Sequence, residues 1–129
     1  MKCALITGGS GGIGSAIARR LAHDGYHVVV HANRSLDKAQ QVVADILATG
    51  GSAQAVAFDV TDRLACAAAL QELSDQRPIQ ILVNNAGIHD DAVFPGMSGD
   101  QWDRVVDVSL NGFFNVTQPL TMPMVRKRW

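Results

Sequence analysis

Short apolar runs of strand length alternate with longer segments of helical period from the first residues to the Asn84 region. Cys3-Ala4-Leu5-Ile6 reads as a first strand. Ile13, Ile17 and Leu21 then recur at four-residue spacing on one helical face, up to a turn at Asp24-Gly25. Val28-Val29-Val30 has no polar alternation, as expected of a strand buried on both faces. Ser35 is placed to cap a helix carrying Ala39, Val42, Val43, Ile46 and Leu47, which Gly50-Gly51 would end. Ala53 to Phe58 is the third strand, and Asp62 would cap a third helix running through Leu73 and closed before Pro78. Ile79 to Val83 is the fourth strand, leading into Asn84-Asn85-Ala86-Gly87.

Beyond that point the period is helical. Ser98 begins a stretch with Trp102, Val105 and Val106 expected inward. Ser109 to Arg128 reads as one long apolar helix that Pro119 and Pro123 should kink or cut short. The order β-α-β-α-β-α-β-α-α predicts one α/β domain, a doubly wound Rossmann-type parallel sheet of about four strands and five helices joined by right-handed crossovers. A chain of 129 residues, 47% apolar and 18% charged, accommodates one such core and no second domain.

Charge excludes more than it suggests. Eleven basic against twelve acidic side chains leave no broad field for a nucleic acid or an anionic membrane, and Arg126-Lys127-Arg128 is too short to change that. No run approaches the roughly 20 apolar residues of a membrane span, and the amino terminus has no signal-peptide core, so a cytoplasmic protein is expected. Cys3 and Cys66 have neither metal nor redox spacing and read as buried thiols. His23, His27 and His31 have strand or loop spacing with no ligand cluster, which argues against a metal.

In an open parallel sheet, ligands sit beyond the carboxyl ends of the strands. The segments with special chemistry all fall there: Thr7 to Gly14 after strand one, Ala32-Asn33-Arg34-Ser35 after strand two, Asp59-Val60 after strand three, and Asn84 to Gly87 after strand four. Glycines in the first loop permit positive φ and let backbone amides approach a pyrophosphate, with the helix dipole behind them. Gly9, Gly11 and Gly14 also fit a G-x-G-x-x-G spacing that glycine-rich structural turns share.

Thr7-Gly8-x-x-x-Gly12-x-Gly14, Asp59 and Asn84-Asn85-Ala86-Gly87 at these separations resemble the short-chain dehydrogenase/reductase family over essentially the whole chain. Asn84 to Ile88, Trp102-Asp103 and Asn111 to Asn115 look most like its β-ketoacyl-acyl-carrier-protein reductases, NADP(H)-dependent oxidoreductases of fatty acid biosynthesis. The resemblance implies a nicotinamide dinucleotide as cofactor and an acyl thioester or small carbonyl as substrate. Gly8 belongs to the loop; Ser10, Gly12 and Ile13 would meet phosphates and ribose, and Gly14 would permit close helix packing. Asp59 would bond the adenine amino group with Val60 beside it, and Asn84 and Ala86 would contact the ribose side. Gly87 would let the nicotinamide half pass. Asn84 and Asn85 also have a purely structural reading, satisfying strand-end amides.

A carboxylate after strand two would take both ribose hydroxyls and repel a 2′-phosphate. This chain has Ala32 there, followed by Asn33, Arg34 and Ser35, donors that suit a phosphate, so NADP(H) is favoured over NAD(H). A solvated surface Arg34 is the alternative, and Gly11 stands where many NADP-preferring relatives carry a basic residue.

The family's proton donor is the Tyr of a Tyr-x-x-x-Lys motif, with a Ser orienting the carbonyl and an Asn anchoring a water relay. Asn111 matches that Asn. The single tyrosine, Tyr26, has Val30 four residues on, and none of Lys2, Lys38 and Lys127 has a Tyr partner. The expectation is a truncated chain, inactive by itself. The alternative is a nucleotide-binding fragment or interaction module without chemistry. The fourth strand would be an open edge in this chain, covered either by another chain or by further residues of a longer natural protein, and a homo-oligomer is expected. His89, Asp90 and Asp91 follow Gly87 and are a second acid-base candidate, but adjacent carboxylates diverge on a regular backbone and a solvated loop is the simpler reading.

Overall fold

The computed structural model describes residues 1–88 and 92–129. Four parallel strands, β1 (Cys3–Ile6), β2 (His27–Ala32), β3 (Ser52–Ala57) and β4 (Ile79–Val83), lie in the order β3-β2-β1-β4. The two inner strands, β1 and β2, are buried at every residue, which is why they read as unbroken apolar runs. The polar exceptions, His27 and His31, both have side-chain hydrogen-bond partners.

The pleat sorts the core into two layers. Ala4, Ile6, Val28 and Val30 face α1 (Gly12–His23) and α2 (Leu36–Ala48). Cys3, Leu5 and Val29 face α3 (Arg63–Gln76) and α5 (Gly112–Lys127). Helices on both faces of a parallel sheet make the doubly wound arrangement that the alternating pattern implies.

Most helix ends follow the sequence. Gly25 at φ +94° and Gly50 at φ +82° close α1 and α2, with the Tyr26 N–H donating to the Leu21 carbonyl and the Gly51 N–H to the Ile46 carbonyl. Asp62 caps α3 by accepting the Ala65 N–H at 3.0 Å. Ser35 holds the N-cap position of α2 but makes no side-chain cap bond, leaving its hydroxyl free of the helix.

Several expectations are corrected. Ile13 is 75% exposed, because it lies at the very start of α1, and the buried stripe is formed by Gly14, Ser15, Ala18 and Ala22. Leu47 likewise faces solvent. Trp102 is exposed rather than inward, since no residue of its helix α4 (Gly99–Val106) is fully buried. No break occurs at Ser109: a wide π-type turn, Asp107–Asn111, joins α4 directly to α5. Neither proline shortens α5, which runs through Pro119 and Pro123 to Lys127. Burial of Val116 and Leu120 against the sheet offsets the two amide donors the prolines remove.

β4 pairs only with β1 and is one edge of the described sheet. Its Ile81, Leu82 and Val83 are half-buried. Among the described residues, no helix is long and apolar enough to cross a membrane and no group of three His, Cys, Asp or Glu could hold a metal ion.

Candidate functional site

The glycine loop is pinned from three sides. Gly8 takes φ +63°, a conformation that favours glycine, and its carbonyl accepts the Gly11 N–H at 3.2 Å and the Asn85 side-chain amide at 3.1 Å. A Cβ on Gly14 would stand 2.3 Å from that carbonyl and 2.6 Å from Asn85 Nδ2. Gly14 is therefore required where α1 crosses the loop. Gly12 has open space around it, and Gly11, at the N-cap, contributes no side-chain bond. The first-turn amides of α1 consequently lack intrahelical carbonyl partners.

Thr7 links this loop to β4. Its hydroxyl oxygen accepts the N–H groups of Asn85 at 3.1 Å and Ala86 at 3.0 Å. Thr7, not an asparagine, takes these strand-end amides, and the Asn85 side chain instead donates to the Gly8 carbonyl. Asn84 turns the other way, donating its side-chain amide to the Thr117 hydroxyl of α5 at 3.0 Å.

Two cavities open beyond the strand ends. One, about 250 Å³, is bordered by Gly8, Ser10, Gly11, His31, Ala86 and Gly87 among others. The other, about 630 Å³, is lined by Ser10 with Asn33, Arg34, Ser35 and Lys38 from the β2 end, Asp59 and Thr61 from the β3 end, and Arg104 and Asp107. Val60, Asn84 and Ala86 border a smaller space near Gly112 and Phe113. The candidate residues from all four strand ends are therefore gathered on one edge. Gly12, Ile13 and Gly14 line none of these spaces and stand at the α1 terminus.

Local bonding refines individual roles. Asn33 Oδ1 accepts the Val60 N–H at 3.0 Å, and a further side-chain bond from Asn33 favours the Asp59 carboxylate. Asn33 is thus a strut between the β2 and β3 ends. The Thr61 hydroxyl at 2.7 Å and the Thr61 N–H at 2.9 Å donate to Asp59 Oδ1, holding its carboxyl below the usual range, with Arg34 adding a smaller electrostatic pull. Asn111 is exposed in the π-type turn and donates its amide to Asp107 Oδ1 at 2.8 Å. His89, Asp90 and Asp91 lie outside the described residues.

Two residues escaped the sequence reading. Lys38, one turn into α2, shares the larger cavity with Arg34 and Ser35, as an i+4 spacing from Arg34 could have suggested. His31 is buried completely under the glycine loop. Its strand position gives no sign of that. Tyr26 sits apart, beside Trp129, with ring centroids 6.3 Å apart and Lys2 over the indole at 3.9 Å.

A family model described as short chain dehydrogenase matches residues 2–129. The chain belongs to the short-chain dehydrogenase family. It is 40% identical to a 3-oxoacyl-acyl-carrier-protein reductase of Aggregatibacter actinomycetemcomitans over 125 residues, 96% of this chain and 52% of that protein. Identity to an acetoacetyl-CoA reductase of Paracoccus denitrificans is 39%, covering 99% of this chain and 51% of that one. Among solved structures, a 3-oxoacyl-acyl-carrier-protein reductase from Agrobacterium tumefaciens with NADP bound superposes at a TM-score of 0.91. It is 31% identical, and the match covers 99% of this chain and 49% of that one. A metagenomic short-chain oxidoreductase in complex with NADP also matches at 0.91, with 32% identity over 98% of this chain and 58% of that one. The chain spans about half the length of the curated relatives it matches.

Proposed function

We propose that this chain is the dinucleotide-binding portion of an NADP(H)-dependent ketoreductase whose substrate is a 3-oxoacyl thioester. The observation that carries the cofactor assignment is the larger cavity, where Arg34, Ser35 and Lys38 converge beside Ala32. Two cations and a free hydroxyl suit a 2′-phosphate, and no carboxylate occupies the end of β2 to repel it. The fit extends to the loop, whose Gly8 and Gly14 let the backbone pack closely on Asn85 and Ala86 beside the cavity that Ser10, Gly11 and Gly87 border. In this reading Ser10, Gly12 and Ile13 hold the pyrophosphate and Asp59, beside Val60, accepts from the adenine amino group. Asn84, Ala86 and Gly87 flank the ribose and nicotinamide side. The bound dinucleotide would supply the hydride.

Substrate class rests on the names of the relatives, which are reductases of 3-oxoacyl and acetoacetyl thioesters. Asn111 would support a water relay. Tyr26, the single tyrosine, lies with Trp129 away from these cavities and cannot serve there as proton donor. That favours binding without turnover in the 129-residue chain. Calorimetric titration of this chain is expected to give tighter binding of NADP⁺ than of NAD⁺. Equal or tighter NAD⁺ binding removes the preference, and no binding of either removes the reading. Acetoacetyl-CoA with NADPH is expected to show no enzyme-like turnover.

Self-association belongs to the same proposal. Leu110 of the π-type turn and Phe113, Phe114, Met122 and Val125 of α5 are 49–63% exposed. Sedimentation equilibrium is expected to give a dimer or larger species that Val125→Glu shifts toward monomer. A wild-type monomer throughout the micromolar range would discard association.

A further inference from the structure

We infer that His31 is a positioning residue of the nucleotide loop, a neutral imidazole that fixes the Gly8 amide and so sets dinucleotide affinity. The inference rests on the proposal that these cavities take NADP(H).

The geometry determines the chemistry. The Gly8 N–H donates to His31 Nδ1 at 3.0 Å, so Nδ1 must be the unprotonated ring nitrogen. Nε2 then carries the proton and donates to the Phe58 carbonyl at 2.7 Å. The Phe58 ring lies against the imidazole, centroids 4.3 Å apart, and His31 has no solvent exposure. The next amide of the loop, Gly9 N–H, donates to the His31 backbone carbonyl at 2.8 Å. One residue of β2 therefore receives two consecutive amides of the glycine turn. With the Gly8 carbonyl bonded to Gly11 and Asn85, the peptide plane on either side of Gly8 is fixed.

A protonated imidazole cannot hold this arrangement. It would present an Nδ1–H to the Gly8 N–H, two donors face to face, and the turn would have to shift. Burial already lowers the His31 pKa from its ordinary value, with the Phe58 carbonyl and the Asp59 charge opposing the shift. Asp59 faces it from the β3 end, whereas the glycine loop and Asn84 to Gly87 bring no charge. Arg34, Lys38, Arg104 and Asp107 line the adjoining cavity. Because the folded-state pKa lies below that of the unfolded chain, the neutral clamp contributes stability above about pH 6.5. That contribution is lost as the pH falls from there through the folded value.

Two substitutions separate the ring's two bonds. Asn places a δ-oxygen where Nδ1 lies, and Gln reaches the position of Nε2. The assignment expects His31→Asn to keep NADP⁺ affinity within about threefold at pH 8, and His31→Gln to weaken it about tenfold, the effect of one lost hydrogen bond with a stranded buried donor. Between pH 8 and 5.5 the ratio of His31→Asn to wild-type affinity should rise, because Asn does not titrate; taking the ratio cancels protonation of the ligand phosphate. Gln rescuing while Asn fails would overturn the assignment in favour of a strut to β3, as would equal affinities in all three proteins. Two measurements on the nucleotide-free wild type stand if a variant does not fold: nitrogen chemical shifts should report the Nε2–H tautomer, and the Gly8 amide should be protected from exchange at pH 8, with a protection factor, taken against the intrinsic rate at each pH, that falls below pH 6. The Nδ1–H tautomer, or exchange governed only by hydroxide concentration, overturns the clamp. Absence of NADP⁺ binding by wild type alongside a slow Gly8 amide overturns the nucleotide reading, and with it the affinity claim, while the clamp itself stands.

Discussion

Replacement of Gly14 by alanine is expected to weaken dinucleotide binding by more than tenfold and to lower the thermal midpoint by roughly 5–15 °C, the range implied by about 1–3 kcal/mol of overpacking. The added methyl would lie 2.3 Å from the Gly8 carbonyl oxygen, well inside van der Waals contact. Neither neighbour can retreat without loss. The carbonyl is held by the Gly11 amide, and the Asn85 amide 2.6 Å from the new carbon is itself one of its donors. Relief therefore breaks the loop or lifts α1 off the sheet. Gly12→Ala, two residues earlier in open space and at ordinary φ, is the control and should leave stability within about 1 kcal/mol. Scanning calorimetry with and without NADP⁺ reads both quantities. A Gly14→Ala protein as stable and as competent as wild type would show that α1 does not pack on the loop as described.

Replacing Arg34 by glutamate should reverse the cofactor preference. Removing the guanidinium costs one charge-assisted contact, about 1.5–3 kcal/mol or roughly 10- to 150-fold in NADP⁺ affinity, and the new carboxylate adds repulsion toward the 2′-phosphate. NAD⁺, lacking that phosphate, should bind at least as well as before, since the carboxylate can accept from ribose hydroxyls. Titrating both nucleotides into both proteins measures the coupling directly. Parallel losses for NADP⁺ and NAD⁺ would place Arg34 outside the phosphate contact and return it to a solvated surface role. Its pull on Asp59 is small beside the Thr61 bonds, so the adenine side of the cavity should be little disturbed.

The sheet was legible because burial on both faces writes itself into sequence: Val28-Val29-Val30 has no polar alternation, and it lies in an inner strand. Glycine at positive φ and Asp62 at a cap were legible for the same reason, each being a local constraint with a residue type that satisfies it. Trp102 and Ile13 misled because helical period reports a face without saying whether anything lies opposite. The π-type turn at Asp107–Asn111 left no mark, since one extra residue in a helical turn alters hydrogen bonding and not hydrophobicity. At the site, backbone chemistry was anticipated and side-chain bonding was not. Asn33 looked like a phosphate donor, and its carbonyl is committed to the Val60 amide. His31 read only as one of three histidines without a ligand cluster, and its ring meets a glycine 23 positions earlier. Such pairings arise from the order of strands across the sheet, which no local window contains.

Thr7 gives the site an order of assembly. Its hydroxyl oxygen waits for amides 78 and 79 positions later in the chain, those of Asn85 and Ala86. The glycine loop is made early in synthesis, but its third wall arrives only when β4 docks beside β1. A nascent chain that has not yet delivered Ala86 carries the whole glycine sequence and no finished pocket. Nucleotide captured during synthesis should therefore report the docking of β4 on β1, and a ligand that binds only after that docking draws β4 into place.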